Sequence, residues 1–105
     1  MELSEAVSYK YGYRRPDDTL NVSYEPLTIL DRLPQHFTNV TVLQLNHCHL
    51  TSLQGVEQFT ELKHFSFKFN EIGSASEPER LVCRKSLTSM NFTGNDIEHL
   101  QACRY

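Results

Sequence analysis

Apolar positions recur in this chain in one fixed order, written three times between residues 40 and 100. The first copy places Val40, Leu43, Leu45, Cys48, Leu50 and Leu53 in line, then Gly55, Val56 and Phe59. The second begins at Leu62 and holds Phe65, Phe67, Asn70 and Ile72, and the third begins at Leu87 and holds Met90, Phe92, Asn95, Ile97 and Leu100. Successive copies start 22 and 25 residues apart. In each, two apolar residues flank one polar residue, which predicts a short strand whose alternate side chains leave on opposite faces. Leu43 with Leu45, Phe65 with Phe67 and Met90 with Phe92 are therefore expected to point inward. The Asn or Cys that follows falls where the chain turns off the strand, and a buried turn has backbone groups that need partners. An Asn amide donates and accepts there, and a small thiol fills the same space. Cys48, Asn70 and Asn95 are expected to form a ladder.

This spacing resembles the leucine-rich-repeat pattern, L-x-x-L-x-L-x-x-[N/C]-x-L, with conservative apolar replacements. The run from Leu53 through Gly55, Val56 and Glu57 to Phe59 is similar to the short, mostly intracellular repeats of phosphatase regulatory subunits and ciliary or centrosomal proteins. The resemblance implies an α/β fold, a leucine-rich-repeat solenoid with a short parallel sheet on its concave face. Three full repeats are expected, at residues 40–61, 62–86 and 87–105, preceded by a degenerate one at residues 17–39. In the degenerate copy Leu20 and Val22 keep the strand spacing, while Asp17 replaces the first apolar residue and Glu25 replaces the Asn. Leu27, Leu30, Leu33 and Phe37 supply its return path.

Residues 1–16 do not follow the repeat and read as an N-terminal cap. A stack of coils needs such a cover, because its first strand otherwise presents an open edge. Leu3, Ala6, Val7 and Tyr11 predict a short amphipathic helix whose tyrosines pack on the first coil while its bases stay solvated. Further on, Ser76, Glu77, Pro78 and Glu79 carry a capping-box signature, which predicts a helix over residues 77–85 burying Leu81 and either Val82 or Cys83. The third copy ends five residues after Leu100, at Tyr105, so its edge is expected to be continued by more chain or covered by a partner.

Composition narrows the function classes. Hydrophobic content of 39% and charged content of 22% suit a single globular domain, and the mean hydropathy of -0.46 gives no apolar run for a membrane span. The net charge of -3 exerts no overall pull toward nucleic acid or anionic lipid. The acidic N-terminal octad and three cysteines, an odd number without flanking clusters, point to a reducing cytoplasmic setting, with cytoskeletal, centrosomal, ciliary and nuclear sites compatible. The triplet His47, Cys48 and His49 invites a metal reading, but the register directs Cys48 inward and its neighbours away from it. No phosphate-binding glycine loop or nucleophile elbow occurs, so no catalysis, cofactor or metal is expected.

What remains is recognition. The outward strand positions line one face, and among them Tyr24, Gln44, Asn46, His47, His64, Lys68, Phe69 and Asn91 are the candidate protein-binding residues. Tyr24, His47 and Phe69 share one repeat position and are expected to stack as a stripe of the kind that anchors protein interfaces. The second reading is a ribonucleoprotein subunit contacting RNA through Tyr9, Lys10, Tyr11, Tyr13, Arg14 and Arg15, where aromatic rings alternate with bases.

Overall fold

Four three-residue strands form one parallel sheet in chain order: β1 (Thr19–Asn21), β2 (Val42–Gln44), β3 (His64–Ser66) and β4 (Ser89–Asn91). This is seen in a computed structural model, which describes residues 1–14, 16–73 and 86–95. Leu20 pairs with Leu43, Leu43 with Phe65, and Phe65 with Met90. Those offsets are 23, 22 and 25 residues, the intervals between the sequence copies starting at 17, 40, 62 and 87. Each strand thus lies beside its counterpart in the next sequence copy.

The inward members of every strand meet in one core. Leu20, Val22, Leu43, Leu45, Phe65 and Phe67 are buried, while Met90 and Phe92 are partly buried against the same cluster. Behind the sheet run the return segments, one through Leu27, Leu30, Leu33 and Phe37 and the next through Leu50, Leu53, Val56 and Phe59. The first includes a helical turn, α2 (Gln35–Thr38), that buries Phe37, and the second includes a 3-10 turn at Val56–Gln58. Gly55 lets the two segments approach. Its φ is +106°, and a Cβ there would fall 2.0 Å from the Leu30 carbonyl oxygen. Gln58 then ties them, accepting from the Leu33 N–H at 2.8 Å and donating to the Asp31 carbonyl at 3.0 Å.

The first helix, α1 (Leu3–Tyr11), buries Leu3, Ala6 and Val7, spaced to fall on one side. Glu2 offers its N-terminus no side-chain cap, and Asp31 supplies one from the return segment, accepting from the Ser4 N–H at 2.8 Å. Burial acts to raise the Asp31 pKa, but hydrogen bonds from Ser4, with smaller ones from the Asp31 backbone and Glu2, together outweigh it and the net direction is down. At the other end of α1 the Tyr11 hydroxyl accepts from the Asn21 N–H at 3.0 Å and faces the Asn21 carbonyl at 3.3 Å. Lys10 donates to that same carbonyl at 2.6 Å. Side chains thus occupy the Asn21 backbone groups, which β1 would otherwise offer to a further strand.

The cap differs from expectation in two respects. Tyr9 and Tyr13 do not pack, being 88% and 98% exposed, because Tyr9 lies off the Leu3, Ala6 and Val7 side and Tyr13 follows the end of the helix at Gly12. Lys10 is not simply solvated, since its ammonium is held by β1. The helix expected over 77–85, Cys83, Arg15, Ile97 and the chain from Leu100 to Tyr105 lie outside the described residues.

Candidate binding face

Every second strand residue points away from the core, and the parallel register sorts these side chains into columns. Thr19, Val42, His64 and Ser89 form one, and Asn21, Gln44, Ser66 and Asn91 the next. His64 and Asn91 are exposed, Val42 and Gln44 half-buried. The parallel hydrogen bonding then continues beyond the strands: the Tyr24 N–H donates to Asn46, His47 to Lys68 and Phe69 to Thr93, at 2.8, 2.9 and 2.8 Å. Ser23, Asn46, Lys68 and Thr93 therefore share a position, as do Tyr24, His47, Phe69 and Gly94.

That last position has one backbone conformation in all four turns. Tyr24, His47, Phe69 and Gly94 have φ of 68°, 56°, 57° and 79°. The left-handed region costs an L-residue on the order of 1 kcal/mol, and side chains held there need support from their surroundings. The rings supply part of it by stacking. Tyr24 and His47 lie 4.8 Å apart at 8°, and His47 and Phe69 4.6 Å apart at 20°. The imidazole is thus covered on both faces and reaches solvent by its edge. Tyr24 is 74% exposed and Phe69 49%, so the column stands open. Its continuation is Gly94, against which the Phe69 ring lies.

Beneath the column runs the ladder of polar side chains. Asn70, buried, accepts from the Cys48 and Leu50 N–H groups at 2.9 and 3.0 Å and donates to the Leu45 and Phe67 carbonyls at 2.7 and 2.9 Å. Asn95 repeats this one turn on, accepting from the Ile72 N–H at 3.1 Å and donating to Phe67 and Phe92 at 2.9 Å each. In the first full copy the Cys48 thiol faces the Val22 carbonyl at 3.3 Å. Burial pushes that thiol's pKa up, against backbone hydrogen bonding from Glu25 and Tyr24.

The chain resembles a leucine-rich-repeat protein. It is 35% identical over 86 residues to mouse leucine-rich repeat-containing protein 56. The match takes in 82% of this chain, which spans 15% of that relative's length. No family model and no solved structure matches.

The eight candidate residues are thus brought to one face, but they are not equally available. The Asn46 carboxamide oxygen is bound to the Ser66 hydroxyl at 2.7 Å and the Lys68 N–H at 2.8 Å, so it braces the next turn. Asn91 folds back on the Thr93 N–H at 3.1 Å. Tyr24, His47, His64, Lys68 and Phe69 keep side-chain surface for a ligand, and Gln44 is half-buried beside them. His47, Cys48 and His49 diverge: one stacks, one is buried, and the third lies 3.7 Å from Glu71. Among the described residues no cluster of His, Cys, Asp and Glu is arranged to hold a metal ion, and no helix is long and apolar enough to cross a membrane. Gly94 was not among the candidates. Its signal was its place in the register, the one glycine among three aromatic counterparts.

Proposed function

We propose that the chain is a leucine-rich-repeat solenoid that binds a protein partner on the concave face formed by its sheet. In this reading residues 1–16 are a cap, residues 17–39 a degenerate repeat, and 40–61, 62–86 and 87–105 full repeats within a larger scaffold or adaptor. The observation that carries it is the open column of Tyr24, His47 and Phe69. Stacked and backbone-fixed aromatic side chains lose little rotamer freedom on binding and offer a large contact area, as interface anchors do. The outward groups around them, Ser, Thr, Asn and Gln, suit a polar rim. This favours recognition over catalysis. A cytoplasmic setting is part of the proposal, with cytoskeletal, ciliary and centrosomal assemblies as the places to look.

The test is quantitative capture from cells with the parent chain, Phe69→Glu, His47→Glu and a control on the return side, Thr60→Glu. The parent and the Thr60 variant are expected to retain the same proteins, and the two column variants to lose them. Equal capture by all four, with circular dichroism unchanged, would overturn the concave site.

A ribonucleoprotein role is the second reading, kept by the exposed Tyr9 and Tyr13 rings beside Arg14. The commitment of Lys10 and Tyr11 to Asn21 weighs against it. No RNA binding at low salt would dispose of it.

A further inference from the structure

The chemistry of the open face is one-sided in charge, and this limits what can dock there. The chain carries 13 acidic residues and a net charge of -3. Yet the ionisable side chains in the outward columns are Tyr24, His47, His64 and Lys68, with no carboxylate among them. The described acids lie elsewhere. Asp17 and Asp18 precede β1, at the end of the strands where His64 lies and opposite the aromatic column beside Lys68. Glu25, half-buried, takes the repeat position of Cys48, outside the outward columns, and Glu71 faces His49. No ion pair joins Lys68 to a carboxylate among the described residues.

The column has the same preference for a different reason. An aromatic ring is negative on its faces and positive at its edge. In this stack most faces are turned on one another: both faces of His47 are covered, and Phe69 lies against Gly94 on its far side, which leaves the outer face of Tyr24 open. What His47 presents to solvent is its ring edge, which favours carbonyl and carboxylate oxygens.

We infer that the segment docking on this face is an acidic stretch of a protein partner, its carboxylates meeting Lys68, His64 and the ring edges of the column. This rests on the partner-binding reading above and specifies its chemistry. Single-stranded nucleic acid is also anionic, but it binds such surfaces by stacking bases on exposed ring faces. Those of His47 are taken, and only the outer face of Tyr24 is left for a base.

The test uses the full chain and two probes of opposite charge and shared aromatic content, a glutamate/tyrosine copolymer and a lysine/tyrosine copolymer, followed by amide chemical shifts. The acidic copolymer is expected to shift the amides of Asn46, His47, Lys68 and Phe69. Its affinity should fall roughly tenfold as salt is raised from about 0.05 M to about 0.5 M, as for contacts between exposed charges. Lys68→Glu should weaken it about three- to tenfold, chiefly through the association rate, with the shift pattern of the free protein otherwise retained. Equal binding of the two copolymers at the column would overturn the acidic preference while leaving a protein-binding face. No shifts with either would overturn the inference and leave the function to the capture experiment. Tighter binding of oligouridylate at the same amides would overturn it in favour of nucleic acid.

Discussion

The ring of Phe69 occupies the space that a side chain at Gly94 would need: a Cβ built on Gly94 falls 2.4 Å from Phe69 Cδ1 and 2.8 Å from Cε1. Gly94→Ala therefore meets both a positive φ and a ring that must move. The expected loss is about 1–3 kcal/mol, with the ring resonances of Phe69 and His47 displaced. A urea midpoint and ring shifts equal to those of the parent would show that the column does not lean on Gly94.

Asn70 satisfies two N–H groups and two carbonyls of buried turns at once. Its replacement by Ala strands the two N–H groups and the Leu45 carbonyl, the Phe67 carbonyl keeping Asn95, and the cost is expected at about 3–5 kcal/mol, set by the unsatisfied donors. Asn95→Ala, at a half-buried site, should cost only about 1–2 kcal/mol. Urea unfolding of the two variants checks the order. A smaller loss at 70 than at 95 would contradict the ladder.

Tyr11→Phe removes one oxygen from a partly buried contact and leaves the ring, which packs 6.4 Å from Phe37 between centroids, in place. The expected penalty is about 1–2 kcal/mol. Hydrogen exchange reads it locally: the Asn21 amide should lose protection while the Leu43 and Phe65 amides keep theirs. Unaltered exchange at Asn21 would mean that water serves β1 as well as the phenol does.

Acid should loosen α1 before it disturbs the sheet. The Asp31 carboxyl is favoured in its charged form by the Ser4 hydrogen bonds, so its folded pKa lies below the ordinary value. Its contribution is then present above the unfolded carboxylate pKa of about 3.9 and is lost as pH falls through the lower folded value. Asp31→Asn should be less stable near neutrality and show a shallower decline below about pH 4. Urea midpoints measured across that range decide it, and parallel curves for the two proteins would remove Asp31 from the account.

The repeat register was legible because burial imposes it. The core tolerates only apolar side chains at Leu20, Leu43 and Phe65, so the intervals between strands are written in composition. Cys48, Asn70 and Asn95 were legible for a related reason, since a buried turn restricts which side chains can serve it. The stacking of Tyr24, His47 and Phe69 followed from their shared position. Their left-handed backbone did not, because residues other than glycine carry no local mark of it. The roles of Tyr11, Gln58 and Asp31 were equally silent. Each bonds a backbone group 10 to 27 residues away, and such a contact exists only once the chain has folded around its sheet. The α2 turn escaped notice because four residues cannot display a helical period.

The left-handed turn at the end of each strand also separates display from scaffold. The directions in which residues 24, 47 and 69 project are set by main-chain torsion and by hydrogen bonds from their own N–H groups, with the stacked rings lending support. Another aromatic at any one of them keeps the stack and changes the exposed chemistry of the face without relocating its point of attachment. On the proposed function, specificity would rest on three fixed pegs, with the packing behind them left as it is.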